Sequence, residues 1–350
     1  MANILIDVGH PAHVHLFRLA ARQWEAAGHR ILFTALDREA IVQLLQYYQL
    51  PHQVIYKRQP GRWRLLRELI VRTWRTLRVA RTFKPDLFVS MGNPTVGLPA
   101  WLLRKPYIAL TDTEHAREQH ALFKPFASLI LTPSIFTVEM GPKQVRYAAN
   151  HELMYLHPEV FTPDMREIES LGLRADEPYF MVRFVAWGAT HDIGQHGFAV
   201  AEKRALIGAL AQRGRVLLSV ESGEVEAEFA PLVTTFPPEK VHHLLAFATL
   251  YIGEGATMAS EAAVLGTPSI YVSTLTMGVQ EDEQRYGLLF MIKDGKVALD
   301  KVLELLETPN LKAIWQERRA KMLTEKISPV SFMVELGQHL LENPHYRPQP

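Results

Sequence analysis

Hydrophobic residues along the chain alternate between short continuous runs and longer stretches with helical spacing. The runs "NILIDV", "RILFTAL" and "DLFVS" are rich in branched and aromatic side chains, which is typical of buried strands. The stretches between them, such as "HVHLFRLAARQWEAAG", repeat apolar residues at helical intervals and several end at glycine. Strands and helices that alternate in this way predict parallel sheets with helices on both faces, an α/β fold.

One Pro-rich, irregular segment interrupts this alternation, "YLHPEVFTPDMREIESLGL". We interpret it as a linker, because proline and clustered polar residues break both helices and strands. A chain of 350 residues is also longer than one core usually requires. We therefore predict two similar α/β domains, over 1–160 and 161–330, followed by a tail over 331–350.

Composition narrows the class of protein. Cysteine is absent, which excludes disulfides and thiolate metal sites and suits a reducing compartment. Hydrophobic residues make up 48% and charged residues 21%, as in an ordinary globular protein. The first residues lack the pattern of a signal peptide, and no run approaches the roughly 20 apolar residues that span a bilayer. We expect a cytoplasmic protein, at most peripheral to the inner face of the membrane.

Charge is divided unevenly between the halves. Residues 1–160 carry 20 Lys and Arg against 12 Asp and Glu, whereas the remainder carries 18 against 25. The surplus is concentrated in a predicted basic helix over 62–82, in which Trp and Leu recur at helical spacing. Such a helix contacts anionic membranes peripherally, or it packs its apolar face on the sheet with its arginines in solvent. We favour packing of the apolar face on the sheet. No nucleic-acid-binding motif accompanies the basic helix, so nucleic acid is not an expected partner.

The stretch "LYIGEGATMASEAAVLGTPSIYV" in the second half predicts an anion site. A strand leads into a glycine turn at Gly255, and a helix opens at Ala256 or Thr257. Backbone N–H groups at a helix N-terminus suit a diphosphate, and small residues let it approach. Glu261 follows Thr257 by one turn, where a carboxylate can accept both hydroxyl hydrogen bonds of a ribose. The alternative is an ordinary strand–helix connection with Glu261 in solvent.

This stretch resembles the nucleotide-binding segment of GT-B glycosyltransferases, especially the N-acetylglucosaminyl transferase that completes lipid II. It is also similar to the non-hydrolysing UDP-N-acetylglucosamine 2-epimerases. The resemblance implies that Gly255, Ala256 and Thr257 hold the diphosphate and that Glu261 holds the ribose. "SMGNPTVGLPAWLLRKPYIALTDTEHA" resembles the first-domain unit of the same families.

Three motifs extend the resemblance over nearly all of 1–335: the opening "IDVGHPAHVHLF", then "DTEHA", then "GEGATMASEAAVLGTP". With them the chain is identified as a member of an uncharacterised family of archaeal and bacterial GT-B-like proteins, a domain of unknown function. The implied fold is GT-B: two doubly wound, Rossmann-like parallel-sheet domains with an interdomain cleft. The tail over 331–350 is then a helix that returns to the N-terminal domain, which is the acceptor side.

The loop "RFVAWGATHD" follows the first strand of the second domain. Ligands of parallel sheets bind beyond the carboxyl ends of the strands, and GT-B proteins place such a loop along the cleft. Arg183 would offset diphosphate charge, and Trp187 and Thr190, with the adjoining His191 and Asp192, would contact sugar or base. For any one of these residues, a bystander role is the alternative.

The opening stretch "DVGHPAHVHLF" holds three histidines within six residues. A zinc site is one interpretation, but Pro11 suits the first turn of a helix, on which His13 and His15 would point about 200° apart. We therefore predict no metal site. We expect His15 to pack or cap, and Asp7 to orient an imidazole or cap the loop.

His13 carries the chemical hypothesis for this loop. Its "AHV" matches a "GHV" whose histidine lies on the acceptor side in the lipid II transferase. That resemblance makes His13 the candidate general base, with Gly9 and His10 contacting substrate. The glycines of the transferase turn are replaced here by His10, Pro11 and Ala12, which indicates a different acceptor. A purely structural His13 is the alternative.

The "DTEHA" loop supplies the other polar cluster of the first half. The related epimerases use acidic residues and a histidine around their equivalent loop, so the resemblance makes Asp112, Glu114 and His115 the acid–base candidates of an epimerase. Paired carboxylates can hold different pKa values and divide the two roles. The alternative is a solvated polar loop.

The leading hypothesis is a nucleotide-sugar-dependent glycosyltransferase in surface-polysaccharide or glycolipid assembly. Its substrate would be a UDP-sugar, its acceptor lipid-linked or a saccharide, and it would need no cofactor or metal. The first alternative is an enzyme like the UDP-N-acetylglucosamine 2-epimerases, and the second is a nucleotide-sugar-binding protein without turnover.

Overall fold

The computed structural model describes residues 1–57, 64–174, 176–184, 198–220 and 226–348. The chain divides into two compact units. Unit 1 comprises Met1–Tyr155 together with Ile327–Pro350, and unit 2 comprises Leu156–Lys326. The interdomain cleft stays a prediction.

Strands and helices alternate through both units. The strands are β1 (Asn3–Val8), β2 (Arg30–Leu36), β3 (His52–Tyr56), β4 (Leu87–Ser90), β5 (Tyr107–Leu110), β6 (Leu129–Pro133), β7 (Gln144–Tyr147), β8 (Tyr179–Phe184), β9 (Arg215–Val220), β10 (Leu250–Gly253), β11 (Ser269–Val272) and β12 (Leu289–Ile292). The α-helices are α1 (Pro11–Ala26), α2 (Glu39–Tyr47), α3 (Arg64–Phe83), α4 (Pro94–Leu102), α5 (Arg117–Phe123), α6 (Leu153–Leu156), α7 (Met165–Glu169), α8 (Val200–Ala211), α9 (Val241–Phe247), α10 (Ala256–Leu265), α11 (Gly278–Arg285), α12 (Gly295–Leu306), α13 (Leu311–Glu325) and α14 (Pro329–Glu342).

Each unit is built on one parallel sheet. The strand order is β3-β2-β1-β4-β5-β6-β7 in unit 1 and β12-β11-β10-β8-β9 in unit 2. All the pairings are parallel. Strands β4, β5, β6, β10 and β11 are buried throughout, as expected where helices cover both faces of a sheet. The predicted α/β class with two doubly wound sheets is therefore confirmed.

The two sheets share one topological feature. In unit 1 successive strands are added on one side of β1 and then, from β4, on the other; in unit 2 the same reversal lies between β8 and β10. The helices that follow the two strands at such a switch point leave the sheet on opposite faces, so a crevice opens at the carboxyl ends of the strands. Each unit thus has a crevice at its switch point where the topology favours ligand binding.

The C-terminal helix α14 is part of unit 1. It packs on α1, where the Trp24 indole N–H donates to the carbonyl oxygen of Val334 at 3.3 Å. Gly337 lies against the indole so closely that a Cβ there would be 2.7 Å from Trp24 Cζ2. This contact ties the last described helix to the first.

Several elements are absent from the sequence-based prediction. These are β7, β12, α5, α6 and α11, and the predicted linker contains the short helix α7. The missed strands are four residues long, which is too short for a distinct pattern.

The favoured interpretation of the basic helix is wrong. The apolar residues Leu66, Ile70 and Trp74 of α3 are 51%, 58% and 58% exposed, so they do not pack on the sheet. Arg72 is instead turned inward, only 5% exposed, and pairs with Asp7. Two residues along a helix are about 200° apart, so an inward Arg72 forces Ile70 and Trp74 outward.

Candidate active site

A pocket of about 600 Å³ lies in unit 1 at the switch point between β1 and β4. Its polar lining comes from β1, from the segments that follow β1 and β4, and from α3 and α5, and leucines of α3 and α5 form an apolar part of the wall. The lining residues with ionisable or amide side chains include Asp7, His13, Glu68, Arg72, Asn93 and Glu118. Two residues of the N-terminal histidine loop, Gly9 and His13, therefore line this pocket.

Asp7 is the central hydrogen-bond acceptor of this pocket. Its Oδ2 accepts hydrogen bonds from Arg72 Nη2 and Asn93 Nδ2, both at 2.6 Å, and its Oδ1 accepts from Thr34 Oγ1 at 2.8 Å. Asn93 also caps α4, because its Oδ1 accepts from the Thr95 N–H. A buried carboxylate needs such partners to offset its lost hydration. The expected role of Asp7, orienting an imidazole or capping the loop, is corrected: it fixes α3 and α4 to β1.

His13 lies in the first turn of α1, and its Nδ1 accepts the Gly9 N–H at 3.3 Å. Desolvation lowers the pKa of His13 well below its usual value, and charges at His10 and Arg72 add to this effect. The imidazole is therefore neutral at neutral pH, and the bond from Gly9 assigns its proton to Nε2. In this tautomer His13 is a hydrogen-bond donor through Nε2, and it can accept a proton only at Nδ1.

The other two histidines of the loop have structural contacts. His10 is the N-cap of α1, and its Nδ1 accepts the Ala12 N–H at 3.2 Å. His15 is buried, with its ring 5.6 Å from the Tyr155 ring and 5.8 Å from the Tyr48 ring. The prediction that His15 packs is confirmed.

A second polar cluster of unit 1 surrounds His151, which the sequence analysis did not single out. The Tyr147 hydroxyl is hydrogen-bonded to His151 Nδ1, and both side chains are buried. Burial lowers the pKa of His151, although Asp112 raises it, and burial with the charge of Asp112 raises the pKa of Tyr147. The polar triplet "NHE" within the apolar "YAANHELMYL" is the signal that could have found it.

The two acidic residues of the "DTEHA" loop have different partners. Asp112 Oδ1 accepts from Thr113 Oγ1 at 3.1 Å, and its charge acts on His151 and Tyr147. Glu114 Oε1 accepts from the Thr137 N–H at 3.5 Å. Asp112 is thus associated with the buried His151 cluster, whereas Glu114 is bonded to the backbone of Thr137.

In unit 2 the first turn of α10 lies at the switch point between β8 and β10. The helix begins at Ala256 after the N-cap Gly255, and it ends at Gly266 with a left-handed φ of +76°. Residues 255–258 are only half-buried, whereas 259–265 are buried. The predicted strand, turn and helix are confirmed, and their free N–H groups are accessible.

Arg183 reaches the same turn from β8. A Cβ at Gly255 would lie 3.3 Å from Arg183 Nε, so the arginine side chain crosses the glycine backbone. Arg183 Nη1 donates to Ser219 Oγ at 2.9 Å, which fixes the guanidinium. A fixed cation beside the positive end of a helix forms an anion site suited to phosphate.

Glu261 is buried one turn further along α10 and lies 3.1 Å from His242 Nε2. The alternative of a solvated Glu261 is therefore wrong, and His242 is buried beside it. The reason is that α9 packs on α10 and buries both side chains. The neighbouring His243 accepts the Asp164 N–H at 2.9 Å.

The sequence analysis also missed a buried polar group on α11. Ser260 Oγ donates to Glu283 Oε2 at 2.8 Å and accepts from Gln280 Nε2 at 2.7 Å. All three side chains are buried where α10 packs on α11. The segment "VQEDEQ" has the composition of an exposed helix, so no local signal marks it.

The remaining predicted site residues lie elsewhere. Trp187, Thr190, His191 and Asp192 fall outside the described residues. Across the parts of the chain that the structure describes, no three His, Asp or Glu side chains group as metal ligands. Within the same ranges, no helix combines the length and apolar character needed to cross a bilayer.

Comparison with known proteins identifies the family. A family model described as "Protein of unknown function (DUF354)" matches residues 2–342. The chain belongs to this family. It is also similar to an uncharacterized protein of Methanocaldococcus jannaschii, at 23% identity over 287 residues that cover 77% of this chain and 81% of that protein. The resemblance drawn from the three motifs is confirmed.

Solved structures similar to this member of the family are sugar-nucleotide enzymes. The S. aureus MnaA–UDP complex has a TM-score of 0.72 at 11% identity, covering 100% of this chain and 99% of that one. The UDP-GlcNAc 2-epimerase of Neisseria meningitidis bound to UDP-GlcNAc has 0.69 at 12%, covering 97% and 100%. The Streptomyces sp. SF2575 glycosyltransferase SsfS6 has 0.59 at 14%, covering 97% and 100%. These likenesses show the GT-B-like fold.

Proposed function

We propose that the protein is a nucleotide-sugar-dependent glycosyltransferase of GT-B type that uses a UDP-sugar and no cofactor or metal. The observation that carries the proposal is the convergence of Gly255, Arg183 and the first turn of α10 at the switch point of unit 2. UDP or UDP-GlcNAc is bound in two of the similar structures. The protein would work in the cytoplasm or at the inner face of the membrane, in surface-polysaccharide or glycolipid assembly.

In this proposal unit 2 holds the donor. The N–H groups of Ala256 and Thr257 bind the diphosphate, and Arg183 offsets the charge that grows on it as the bond to the sugar breaks. Glu261, oriented by His242, accepts the ribose hydroxyls. Because the helix and the guanidinium supply the positive potential, the leaving group needs no divalent ion.

Unit 1 holds the acceptor, which is a lipid-linked or free saccharide. In the tautomer assigned above, His13 Nε2 donates to an acceptor oxygen and positions it in the pocket. The acceptor hydroxyl proton passes to Nδ1 only when the Gly9 contact is released, because that nitrogen carries the lone pair. Gly9 and His10 hold the loop in place for this purpose.

Calorimetric titration with UDP and UDP-GlcNAc tests the donor site. Arg183→Gln and Glu261→Gln should each weaken binding about tenfold or more, since each removes a charge-assisted hydrogen bond to the nucleotide. Glu317→Gln, at an exposed position of α13, is the matched control. Absence of UDP binding at millimolar concentration, or unchanged affinity in both variants with intact melting curves, would refute the assignment.

The second candidate is a UDP-N-acetylglucosamine 2-epimerase, favoured by the Asp112, Tyr147 and His151 cluster. A neutral histidine and a carboxylate in one buried site can divide proton removal and return. Incubation with UDP-GlcNAc in deuterated water, followed by proton NMR of the sugar, separates the candidates. Deuterium at C2 with a second epimer supports epimerisation, UDP release only with lipid extract supports transfer, and tight binding with neither product indicates a binding protein without turnover.

A further inference from the structure

Helix α3 presents an apolar and basic surface to solvent. The outward face of α3, as we call it, consists of Leu66, Ile70, Trp74, Arg67, Arg78 and Arg81, and all six side chains are exposed. Leu66, Ile70 and Trp74 follow one another at four-residue spacing and so form a continuous stripe. Three large apolar side chains more than half exposed on one helix are unusual for a surface that faces only water.

The rotation of α3 is fixed from the inside. Its opposite face carries the buried side chains of Glu68, Arg72 and Thr76, and Arg72 is bonded to the buried Asp7. Turning the stripe inward would expose or unpair this buried ion pair, which is strongly destabilising. The stripe is therefore held outward by the same contact that builds the pocket.

Charge on the outward face has one sign. Glu68 is the only acidic residue between Arg64 and Phe83, and it is buried on the other side. The Arg78 guanidinium lies 5.8 Å from the centre of the Trp74 ring, which leaves the charge beside the apolar stripe. The helix α4, which packs on α3, also carries two exposed apolar side chains, Trp101 and Leu102. Arginine beside exposed tryptophan and aliphatic residues matches the boundary between lipid headgroups and acyl chains.

We propose that the outward face of α3 docks the protein on an anionic lipid bilayer. The stripe enters the headgroup boundary, and Arg67, Arg78 and Arg81 contact lipid phosphates. A second copy of the chain is the competing occupant. In a symmetric dimer across this face the same arginines would meet one another, and the like charges would oppose association.

Docking has a consequence for the pocket of unit 1. Leu66 belongs both to the stripe and to the pocket wall, where the exposed Leu65 and Leu122 adjoin it. The pocket mouth would therefore face the lipid surface. This step rests on the proposed function. The acceptor is then a lipid-anchored molecule whose polar head enters the pocket.

The charges of the pocket restrict that head group. Among the residues that the structure describes, the lining carries the carboxylates of Asp7, Glu68 and Glu118 and the guanidinium of Arg72, which is already bonded to Asp7. Phosphate is disfavoured in such a lining, whereas hydroxyl groups of a sugar find several acceptors. The head group is therefore an uncharged saccharide.

Vesicle flotation with the full chain and no nucleotide tests the docking. Vesicles contain phosphatidylcholine alone or with about 30% phosphatidylglycerol, so that the anionic contribution is measured separately. Wild type should bind the anionic vesicles at least about tenfold more strongly than the neutral ones, and high salt should reduce this preference. Ile70→Gln combined with Trp74→Gln should weaken binding about tenfold or more, because both side chains lose the apolar phase.

The controls are equally exposed side chains elsewhere: Tyr47→Gln on α2 and Val297→Gln on α12 should bind vesicles like wild type. Arg67→Gln with Arg78→Gln and Arg81→Gln should abolish the preference for anionic lipid. The proposal is overturned if wild type does not float, or if the Ile70/Trp74 variant floats equally well. It is also overturned if sedimentation shows that the wild type is a dimer and that the Ile70/Trp74 variant is a monomer. UDP affinity, measured on the same variants, should stay unchanged, so failure of docking and failure of the donor site are separate results.

Discussion

The switch points of the two units have the same topology, but the side chains that line them carry opposite charge. In unit 1 the crevice between β1 and β4 holds a carboxylate whose guanidinium partner is bonded to it, beside a neutral histidine. In unit 2 the crevice between β8 and β10 holds a half-buried arginine beside accessible helix N–H groups. The topology thus sets the position of each candidate site, whereas the residues at the strand ends determine the ligand charge that each site suits.

The largest expected effect concerns the buried ion pair of unit 1. Arg72→Met leaves the Asp7 carboxylate buried without its cation, which should lower the free energy of unfolding by about 3–5 kcal/mol. Arg78→Met, on the exposed face of the same helix, should change it by less than about 0.5 kcal/mol. Urea unfolding measures both; equal effects would contradict an inward Arg72.

The glycines of the two crevices should respond differently to alanine. A Cβ at Gly253 would lie 2.7 Å from the Arg183 carbonyl oxygen, so Gly253→Ala should cost about 1–3 kcal/mol and weaken UDP binding. A Cβ at Gly9 would meet Arg72 Nη2 at an ordinary 3.5 Å, so Gly9→Ala should be nearly neutral for stability. Thermal melting with calorimetry checks both variants, and a tolerated Gly253→Ala would argue against the tight turn.

The arginines should separate nucleotide binding from folding. Arg183→Gln should weaken UDP binding by about 10–100-fold, the cost of one charge-assisted bond to phosphate, and reduce its salt dependence. Arg174→Gln in the same unit has only an exposed pairing with Asp176 and should bind UDP normally. If both variants bind UDP alike, Arg183 does not contribute to the anion site.

The smallest expected effect is the pH dependence that His13 contributes. Burial lowers the pKa of His13, so the folded protein binds fewer protons than the unfolded chain. Stability from this group is complete above about pH 6.5 and is lost as the pH falls below that value. His13→Gln should therefore flatten the acid side of the stability profile, whereas the exposed His345→Gln should not. Urea unfolding over a pH series would show this, and parallel profiles would contradict a desolvated, neutral His13.

The anion site of unit 2 could be predicted from local sequence patterns, whereas the pocket of unit 1 could not. The strand, the glycine turn and the start of α10 are encoded within a dozen consecutive residues, and the structure has them where the pattern predicts. Asp7 and Arg72 are 65 positions apart, and Glu261 and His242 are 19 apart. Neither pairing leaves a periodic signal, so the orientation of α3 and the burial of His242 required the tertiary structure.

Hydrogen–deuterium exchange with and without UDP tests the central claim most directly, because it reports on both crevices in one experiment. We expect slower exchange at the first turn of α10, around Ala256 and Thr257, because the nucleotide diphosphate accepts hydrogen bonds from their N–H groups. We expect no change around Gly9 and His13 or along α3. Protection at the histidine loop instead of α10, or no protection in either unit, would contradict the assignment of the nucleotide to unit 2.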